Sequence, residues 1–461
     1  MTAVTQSAKP LTRRARVNES LTDLENARRF AEAHGKDLRY VSKSHRWIVW
    51  DGKRWRPDDT GEVQRRAKAT VRALYGVACG ISDPDKRAKA RKYALAAQHA
   101  GRIAGMIELA RSEPTIPVTP EALDTDPWLL NVENGTFDLR AGQLREHRRE
   151  DLITKIAPVQ YDPAAKCPTW EAFLRRVMAD DAGLIRYMQK AVGYALTGDV
   201  REQCLFIAHG TGANGKTTTF TTVAAVIGGY AAHTPTETLL VKRSDTIPND
   251  VARLHGMRFV TAAEAECHRR LAEALVKQMT GGDKMAARFL HGEWFEFTPT
   301  FKLFLAVNHK PIVQGTDHAI WRRIRLIPFT VTIPESEQDK TLPEKLRAES
   351  AGILRWAVEG CLLWQREGLE PPRAVTEATA DYRDEMDTVG AFIDECCVRD
   401  PKAETPTPRL YDAYSLWCAA NEEKAMSKAD FGARLAEKEF TPGRTKTKRF
   451  WRGLAVTGDD R

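Results

Sequence analysis

The sequence predicts an α/β protein built on a phosphate-loop nucleotide-binding core. A mixed α+β region precedes that core, a helical extension follows it, and a winged-helix domain closes the chain. Three observations predict this. Cys204 to Thr218 runs from a short apolar strand through a glycine-rich loop into a helix. Two further apolar strands follow, Arg258-Phe-Val-Thr-Ala-Ala-Glu264 and Lys302-Leu-Phe-Leu-Ala-Val-Asn308, each ending in a polar residue. The final segment reads as two helices and then an alternating basic and aromatic stretch.

The segments follow in order. Residues 1–20 are polar and basic and read as a disordered tail. The N-terminal α+β region, 21–128, opens with an amphipathic helix from Leu21 to His34. Strands at Arg39-Tyr-Val and Arg46 to Trp50 come next, with Asp51-Gly52 turning the chain toward Trp55. Its three tryptophans among arginines have two readings, bases stacked on exposed rings or the packed face of a small sheet. Val63 to Ala110 is helical, with a basic run at Lys86 to Lys92 that reads as a solvated face. Residues 129–199 hold a small β-meander, marked by Asn134-Gly135 and Ala141-Gly142, and then helices. The ATPase core occupies 200–334 and a helical extension 335–399. A linker with three prolines, Asp400 to Pro408, leads into the winged-helix domain, so that 400–461 forms the last segment.

Composition narrows the class. A net charge of +8 and pI near 9.0 favour a polyanionic partner weakly at this length. Eight cysteines are scattered without C-x-x-C spacing, which argues for reduced thiols and against a zinc module. No apolar run has the ~20 residues that span a membrane. A soluble protein of the cytoplasm is expected.

Gly210 to Thr217 fits G-x-x-x-x-G-K-[ST]. Glycines allow successive N–H groups of Gly210, Thr211, Gly212, Ala213, Asn214 and Gly215 to close on phosphates, and the helix start at Lys216, Thr217 and Thr218 adds partial positive charge. Lys216 is expected on the β- and γ-phosphates and the Thr217 hydroxyl on Mg²⁺. At the end of the next strand, Glu264 is the first choice and Glu266 the second for the carboxylate that serves Mg²⁺ or the attacking water. Asn308 is placed to bond the γ-phosphate and that water, or is a turn residue. Ile320-Trp-Arg322-Arg323-Ile-Arg325 sets arginines before a last strand, for a neighbouring subunit's site or for salt bridges on an edge.

These motifs, in this order from Gly210 to Arg325, resemble those of superfamily 3 helicases, above all the phage and plasmid primase-helicases related to the poxvirus primase-helicase. The resemblance is strongest over 129–329. It implies an AAA+-type core with a helical collar, assembled as a ring, usually a hexamer, with ATP and Mg²⁺ at subunit interfaces. It implies 3′-to-5′ translocation on single-stranded DNA in the replication of a phage or mobile element, in a bacterial host's cytoplasm, and leaves room for a separate primase or polymerase. Carried over, Lys216 and Thr217 bind phosphate and metal, Glu264 and Glu266 hold the acidic strand end, and Asn308 is the sensor. Arg323 is the better match to the arginine finger, with Arg322 close enough to test beside it. Ala287 to Phe297 alternates around Gly292-Glu293 as a hairpin. In superfamily 3 rings such a hairpin grips DNA in the channel, which makes His291 the first expected contact and Lys284 and Arg288 the second.

The chain departs from the family's bifunctional members. A two-metal primase centre needs clustered carboxylates, and the first hundred residues are poor in them; Asp83-Pro-Asp85 and Asp124-Thr-Asp126 read as loops. The rivals to a helicase are a bifunctional primase-helicase and an ATP-switched origin-binding or loader protein. In the C-terminal segment a winged-helix domain would set Arg444, Lys446, Lys448 and Arg449 on duplex phosphates, and the alternative is a helical packing domain with a solvated basic end.

Overall fold

The computed structural model describes residues 21–241, 249–263, 269–289, 292–315, 318–421, 423 and 425–457. The expected N-terminal tail therefore lies outside the described residues. The chain forms two compact units, 1–161 and 162–461. The stretch 129–199 is divided between them, its meander in the first and its helices in the second.

The first unit begins with α1 (Asp23–His34), capped by the Thr22 hydroxyl, which accepts from the Glu25 N–H. Then come β1 (Leu38–Val41), β2 (Arg46–Trp50) and β3 (Trp55–Pro57), and the helices α2 (Glu62–Cys79), α3 (Pro84–Ala96) and α4 (Ala100–Ala110). A short β4 (Pro117–Val118) completes a four-stranded sheet of order β3-β2-β1-β4. Side chains alternate across it, as the two-residue period of a strand demands. Phe30, Leu38, Tyr40, Val49, Val71 and Met106 pack together on the helical side. Val41, Ile48 and Trp55 pack on the other face with Trp50 and Leu152. Trp55 is fully buried, its indole N–H donating to the Arg149 carbonyl at 2.9 Å, and Arg39 lies 4.8 Å over its ring. The tryptophans thus pack against the sheet, Trp47 on the helical side and Trp50 and Trp55 on the other.

The meander β5 (Leu129–Val132), β6 (Gly135–Asp138) and β7 (Gln143–Arg145) forms its own antiparallel sheet. Its fully buried Asn131 donates to the Lys53 and Lys155 carbonyls and accepts from Thr136 and His147. The carboxylates that read as loop residues have local work. Asp83 caps α3, Asp124 accepts from Thr154 and Lys155, and Asp126 accepts from the Trp128 N–H and Arg140.

The second unit opens with α5 (Pro168–Val177) and α6 (Ala182–Ala195). Glu349 caps α5 from a distant part of the chain, accepting from the N–H groups of Thr169 and Trp170 at 3.0 Å each. The core follows: β8 (Leu205–His209), α7 (Lys216–Ile227), β9 (Ala231–His233), α8 (Asn249–Ala252), β10 (Phe259–Ala263) and α9 (Glu273–Gly281). After it come the hairpin β11 (Met285–Arg288) and β12 (Trp294–Phe297), then β13 (Lys302–Val307), α10 (His318–Trp321) and β14 (Ile324–Pro328). Five of these strands form a parallel sheet of order β14-β8-β13-β10-β9. All six residues of β13 are buried, as in a parallel sheet covered on both faces. On one face Phe206 stacks on Phe304 at 4.6 Å, with Phe220 of α7 edge-on to Phe304. The other face brings Leu205, Ile207, Leu303 and Leu326 against Val276, Met279, Ile320 and Tyr382.

The helical extension opens with two helices, α11 (Leu342–Ala348) and α12 (Ser350–Glu367), broken at the Glu349 that caps α5. α12 crosses α6 with backbones nearly touching: a Cβ on Gly193 would strike the Cys361 backbone, and one on Gly360 the Gln189 carbonyl. α13 (Arg373–Met386) covers β14, where Thr379 accepts from the Leu326 N–H.

The last elements are α14 (Thr388–Cys396), β15 (Cys397–Val398), β16 (Glu404–Pro406), α15 (Thr407–Ala420), α16 (Lys428–Glu437), β17 (Thr441–Arg444), β18 (Arg449–Arg452) and β19 (Ala455–Val456). Three helices pack around Phe392, Tyr414, Phe431 and Trp451, beside an antiparallel sheet of order β16-β18-β17. The expected linker is therefore a correction. Residues 404–406 pair with β18 and the Thr405 hydroxyl donates to the Leu454 carbonyl, while Pro408 lies in the first turn of α15. The prolines mark an edge strand and a helix start, two places that tolerate a missing N–H.

In the first unit, His34 packs on Phe30 and bonds Thr70 at 3.0 Å. Burial, assisted by the Arg66 charge, lowers its pKa from 6.5 to about 4. The unfolded chain takes up this proton near 6.5 and the folded one only near 4. The stability contribution is thus complete above pH 6.5 and is lost as pH falls toward 4. Amide exchange in α1 and α2 is expected to accelerate across that window, and His34→Gln to flatten the dependence.

Candidate functional site

The chain leaves β8 at His209 and turns through Gly210 to Gly215 before α7 begins at Lys216. Gly212, Ala213 and Gly215 have φ of 119°, 48° and 79°, torsions that glycine adopts freely and alanine at a cost. Two glycines are also required by space. A Cβ on Gly210 would strike the Asn214 amide and the Phe329 carbonyl, and one on Gly215 would sit 2.6 Å from Val177 Cγ1. The Ala213 carbonyl accepts from the Ile333 N–H at 2.8 Å, tying the loop to the chain beyond β14.

Lys216 is only 6% exposed. Its Nζ donates to the Gly210 carbonyl at 2.7 Å, Asn214 Oδ1 at 2.8 Å and Asn308 Oδ1 at 3.0 Å. These acceptors are all neutral, and burial lowers the amine's pKa. Half-buried His209 is also pushed down, by burial first and then by the charges of Lys310 and Lys216, which keeps its ring neutral. Thr211 and Thr217 are exposed and Thr218 is half-buried. The loop residues fit an anionic phosphate chain: a buried cation with neutral acceptors stands behind a glycine turn at a helix N-terminus.

Asn214 does something the motif does not announce. Its side chain faces inward, 3% exposed, and its Nδ2 donates to the Phe329 carbonyl at 3.3 Å while its Oδ1 accepts from Lys216. Asn308 arrives by register: Val307 and Pro328 both pair with His209, and Ala263 pairs with Ala306, so these strands end along one edge. Glu264 and Glu266 come after β10 in sequence and lie outside the described residues.

The two arginines before β14 separate. Arg323, the better motif match for reaching a neighbour, is 8% exposed. Its Nε donates to Thr280 Oγ1 at 3.2 Å and its Nη1 to the Ala319 carbonyl at 2.6 Å. Held this way inside its own chain, it is not presented to another. Arg322 is exposed, with Nη2 donating to Gln203 Oε1 at 2.7 Å. The side chain of residue 323 lies at a buried strand start, a burial pattern that the apolar residues Ile320, Trp321 and Ile324 around it foreshadow.

The hairpin β11–β12 carries two aromatic residues that the sequence reading passed over. Trp294 is 55% exposed and Phe289 48%. Trp294 lies directly across from Arg288, whose guanidinium sits 5.3 Å over the indole, and Phe289 stacks on Phe295 at 5.5 Å. The alternation of the strand held the signal: Phe297 turns inward and Trp294 outward. Lys284 is exposed just before β11, while His291 lies outside the described residues. At the C-terminal end Arg444, Lys446, Lys448 and Arg449 are all exposed on the β17–β18 hairpin, and among the described residues none forms an ion pair.

Comparison with known proteins shows what this chain is similar to. Residues 27–179 match a family described as D5 N terminal like, and residues 384–452 match the Poxvirus D5 protein-like family. These two matches fall before and after the parallel sheet in sequence. The superfamily 3 primase-helicase resemblance stands on these matches and on the relatives. "Putative helicase L207/L206" of Acanthamoeba polyphaga mimivirus is 27% identical over 65% of this chain and 34% of its own length. "Putative helicase 022R" of Frog virus 3 is 25% identical over 74% of this chain and 43% of its own. "Putative primase C962R" of African swine fever virus is 26% identical over 65% and 34%. The chain thus spans between a third and a half of the length of these relatives. In fold it resembles the apo structure of the NrS-1 C-terminal region, with a TM-score of 0.52 at 11% identity over 91% of this chain and 96% of that one. Among the described residues no helix is long and apolar enough to cross a membrane.

The two arginines give a direct structural check. Arg323→Ala removes two buried hydrogen bonds, to the Ala319 carbonyl and to the Thr280 hydroxyl, which keeps its own bond to the Val276 carbonyl, and is expected to lower stability by roughly 1–3 kcal/mol. Arg322→Ala, at an exposed site, is expected to stay within about 0.5 kcal/mol in chemical denaturation.

Proposed function

We propose that this chain is an ATP-dependent DNA helicase of superfamily 3 type. It works as a ring, a hexamer in the family's usual form, and moves 3′-to-5′ along single-stranded DNA during replication of a phage or mobile element. The observation that carries the reading is the buried Lys216 amine. It stands among neutral acceptors supplied by the glycine loop and by Asn308 of the adjacent strand. An arriving triphosphate offers that cation the negative charge it lacks, and frees the Asn308 amide to bond phosphate and water instead. Thr217, with Glu264 as carboxylate and Glu266 as its alternate, would hold Mg²⁺. Bound there, the metal neutralises charge developing on the phosphate oxygens. The exposed Arg322, rather than Arg323, is the candidate to reach a neighbouring subunit's nucleotide.

DNA handling is assigned to two surfaces. The β11–β12 hairpin offers cations Lys284 and Arg288, the expected contact His291, and the exposed rings of Trp294 and Phe289, which suit stacking on unpaired bases. The C-terminal segment from Thr388 onward, with three helices and a β16-β18-β17 sheet, suits a winged-helix domain whose hairpin presents Arg444, Lys446, Lys448 and Arg449 to duplex phosphates.

Strand displacement on forked DNA with a single 3′ tail, with ATP and Mg²⁺, tests the whole reading. Lys216→Ala is expected to abolish unwinding and to weaken nucleotide binding. Trp294→Ala is expected to keep basal ATP hydrolysis and lose unwinding, because stacking is worth ~1–3 kcal/mol per base. ATP turnover in wild type without displacement on any fork would instead mark a loader or switch.

Arg322→Ala is expected to bind nucleotide like wild type and to lose hydrolysis by about 10³-fold or more, the range of an arginine finger. Mixing this variant with Lys216→Ala protein supplies intact half-sites in trans, so partial recovery of turnover is expected. Full activity of Arg322→Ala alone would remove the finger assignment.

A further inference from the structure

The first unit carries a charged surface that neither the nucleotide site nor the hairpins use. From Val63 to Arg102 the chain has ten Lys and Arg against two Asp and no Glu. Helical spacing sorts these cations into rows. On α2, Val63, Ala67, Thr70 and Val71 turn to the core, leaving Lys68 and Arg72 exposed on the opposite face. On α3 only Ala90 and Ala94 are buried, and Lys89 and Lys92 point outward one turn apart. Arg91 joins the two helices: its Nη2 donates to the Tyr75 hydroxyl at 2.8 Å and its guanidinium lies 5.4 Å over the Tyr75 ring. Among the described residues Lys68, Arg72, Lys89 and Lys92 form no ion pair, and the two acids are placed at the helix start, where Asp83 caps α3.

We propose that the outward faces of α2 and α3 form a second nucleic-acid surface, which holds the sugar–phosphate backbone without reading bases. Cations recurring every ~4.5–6 Å along two packed helices suit a polymer of repeating charge rather than a single phosphate group. Ala69, Gly76 and Ala88, all exposed, lie among the cations and leave room for a backbone to approach. A membrane surface fits poorly, since the exposed large apolar side chains of the two helices are Val77 and Leu95, with no Trp or Phe. The partner's class follows the DNA-handling reading above, but the surface itself requires neither nucleotide nor ring.

The test uses the full chain without nucleotide, binding a fluorescent single strand and a fluorescent duplex across a KCl series. A variant with Lys68→Gln, Arg72→Gln, Lys89→Gln and Lys92→Gln is expected to bind roughly tenfold more weakly at moderate salt. Its log–log salt slope is expected to be shallower by about three, since each phosphate left without a neutralising cation removes close to one from the slope. Acetylation of the wild-type protein is expected to show Lys89 and Lys92 protected by DNA. Unchanged affinity and slope, or both lysines labelled equally with and without DNA, would overturn the surface. So would wild-type binding to phosphatidylserine vesicles with no protection by DNA. Basal ATP hydrolysis of the variant is expected at the wild-type rate, and Lys216→Ala protein is expected to keep the lysine protection. Absence of any ATP hydrolysis in wild type, with the protection intact, would sink the helicase reading and leave this surface standing.

Discussion

A buried ammonium group with only neutral acceptors is the constraint on which the second unit turns. Lys216 cannot be placed at the head of α7 unless two separate pieces of chain bring it oxygen: the loop, through the Gly210 carbonyl and the Asn214 side chain, and the end of the neighbouring strand, through Asn308. The parallel register supplies the last of these, because β8 and β13 end together. The sheet in turn needs both faces covered, which the Phe206, Phe304 and Phe220 layer and the Leu305, Met279 and Tyr382 layer provide. Folding thus leaves the cation desolvated and offsets part of that cost with dipoles, and an anion improves on them.

Much of this was legible in the sequence because it is periodic or punctuated. The glycine loop, its flanking strand and helix, the two later strands and the β11–β12 hairpin follow from apolar runs, alternation and turn residues. The identity of Lys216 and Asn308 as neighbours was legible only through the order of motifs, since a parallel sheet brings together residues far apart along the chain. What stayed hidden is orientation. Arg322 and Arg323 are adjacent letters, yet one faces solvent and the other Thr280, a difference set by where α10 hands over to β14. Asn214 looked like one more phosphate-loop residue, and only the packed structure reveals its grip on Phe329.

The prolines of 400–408 show the opposite error. Composition alone equates such a stretch with a linker, but proline also fits the edge of a sheet and the first turn of a helix, and here pairing with β18 and the Thr405–Leu454 bond decide it. Trp55 of the first unit was settled by burial in the same way. A ring with no exposed surface, such as Trp55, has no face left for a base.

β14 has a mechanical consequence. Arg322 lies two residues before the strand, and the Phe329 carbonyl that anchors Asn214 follows its last residue. An extended chain rises about 3.3 Å per residue, so the five residues of β14 form a stiff rod of roughly 16 Å between the turn that carries Arg322 and the loop around Lys216. Load applied at one tip cannot be absorbed by bending along the way, because β8 on one side and α13 on the other keep the rod straight. What the strand's far end holds is the Phe329 carbonyl, and through it Asn214, so a shift of β14 along its own axis meets the lysine's loop directly.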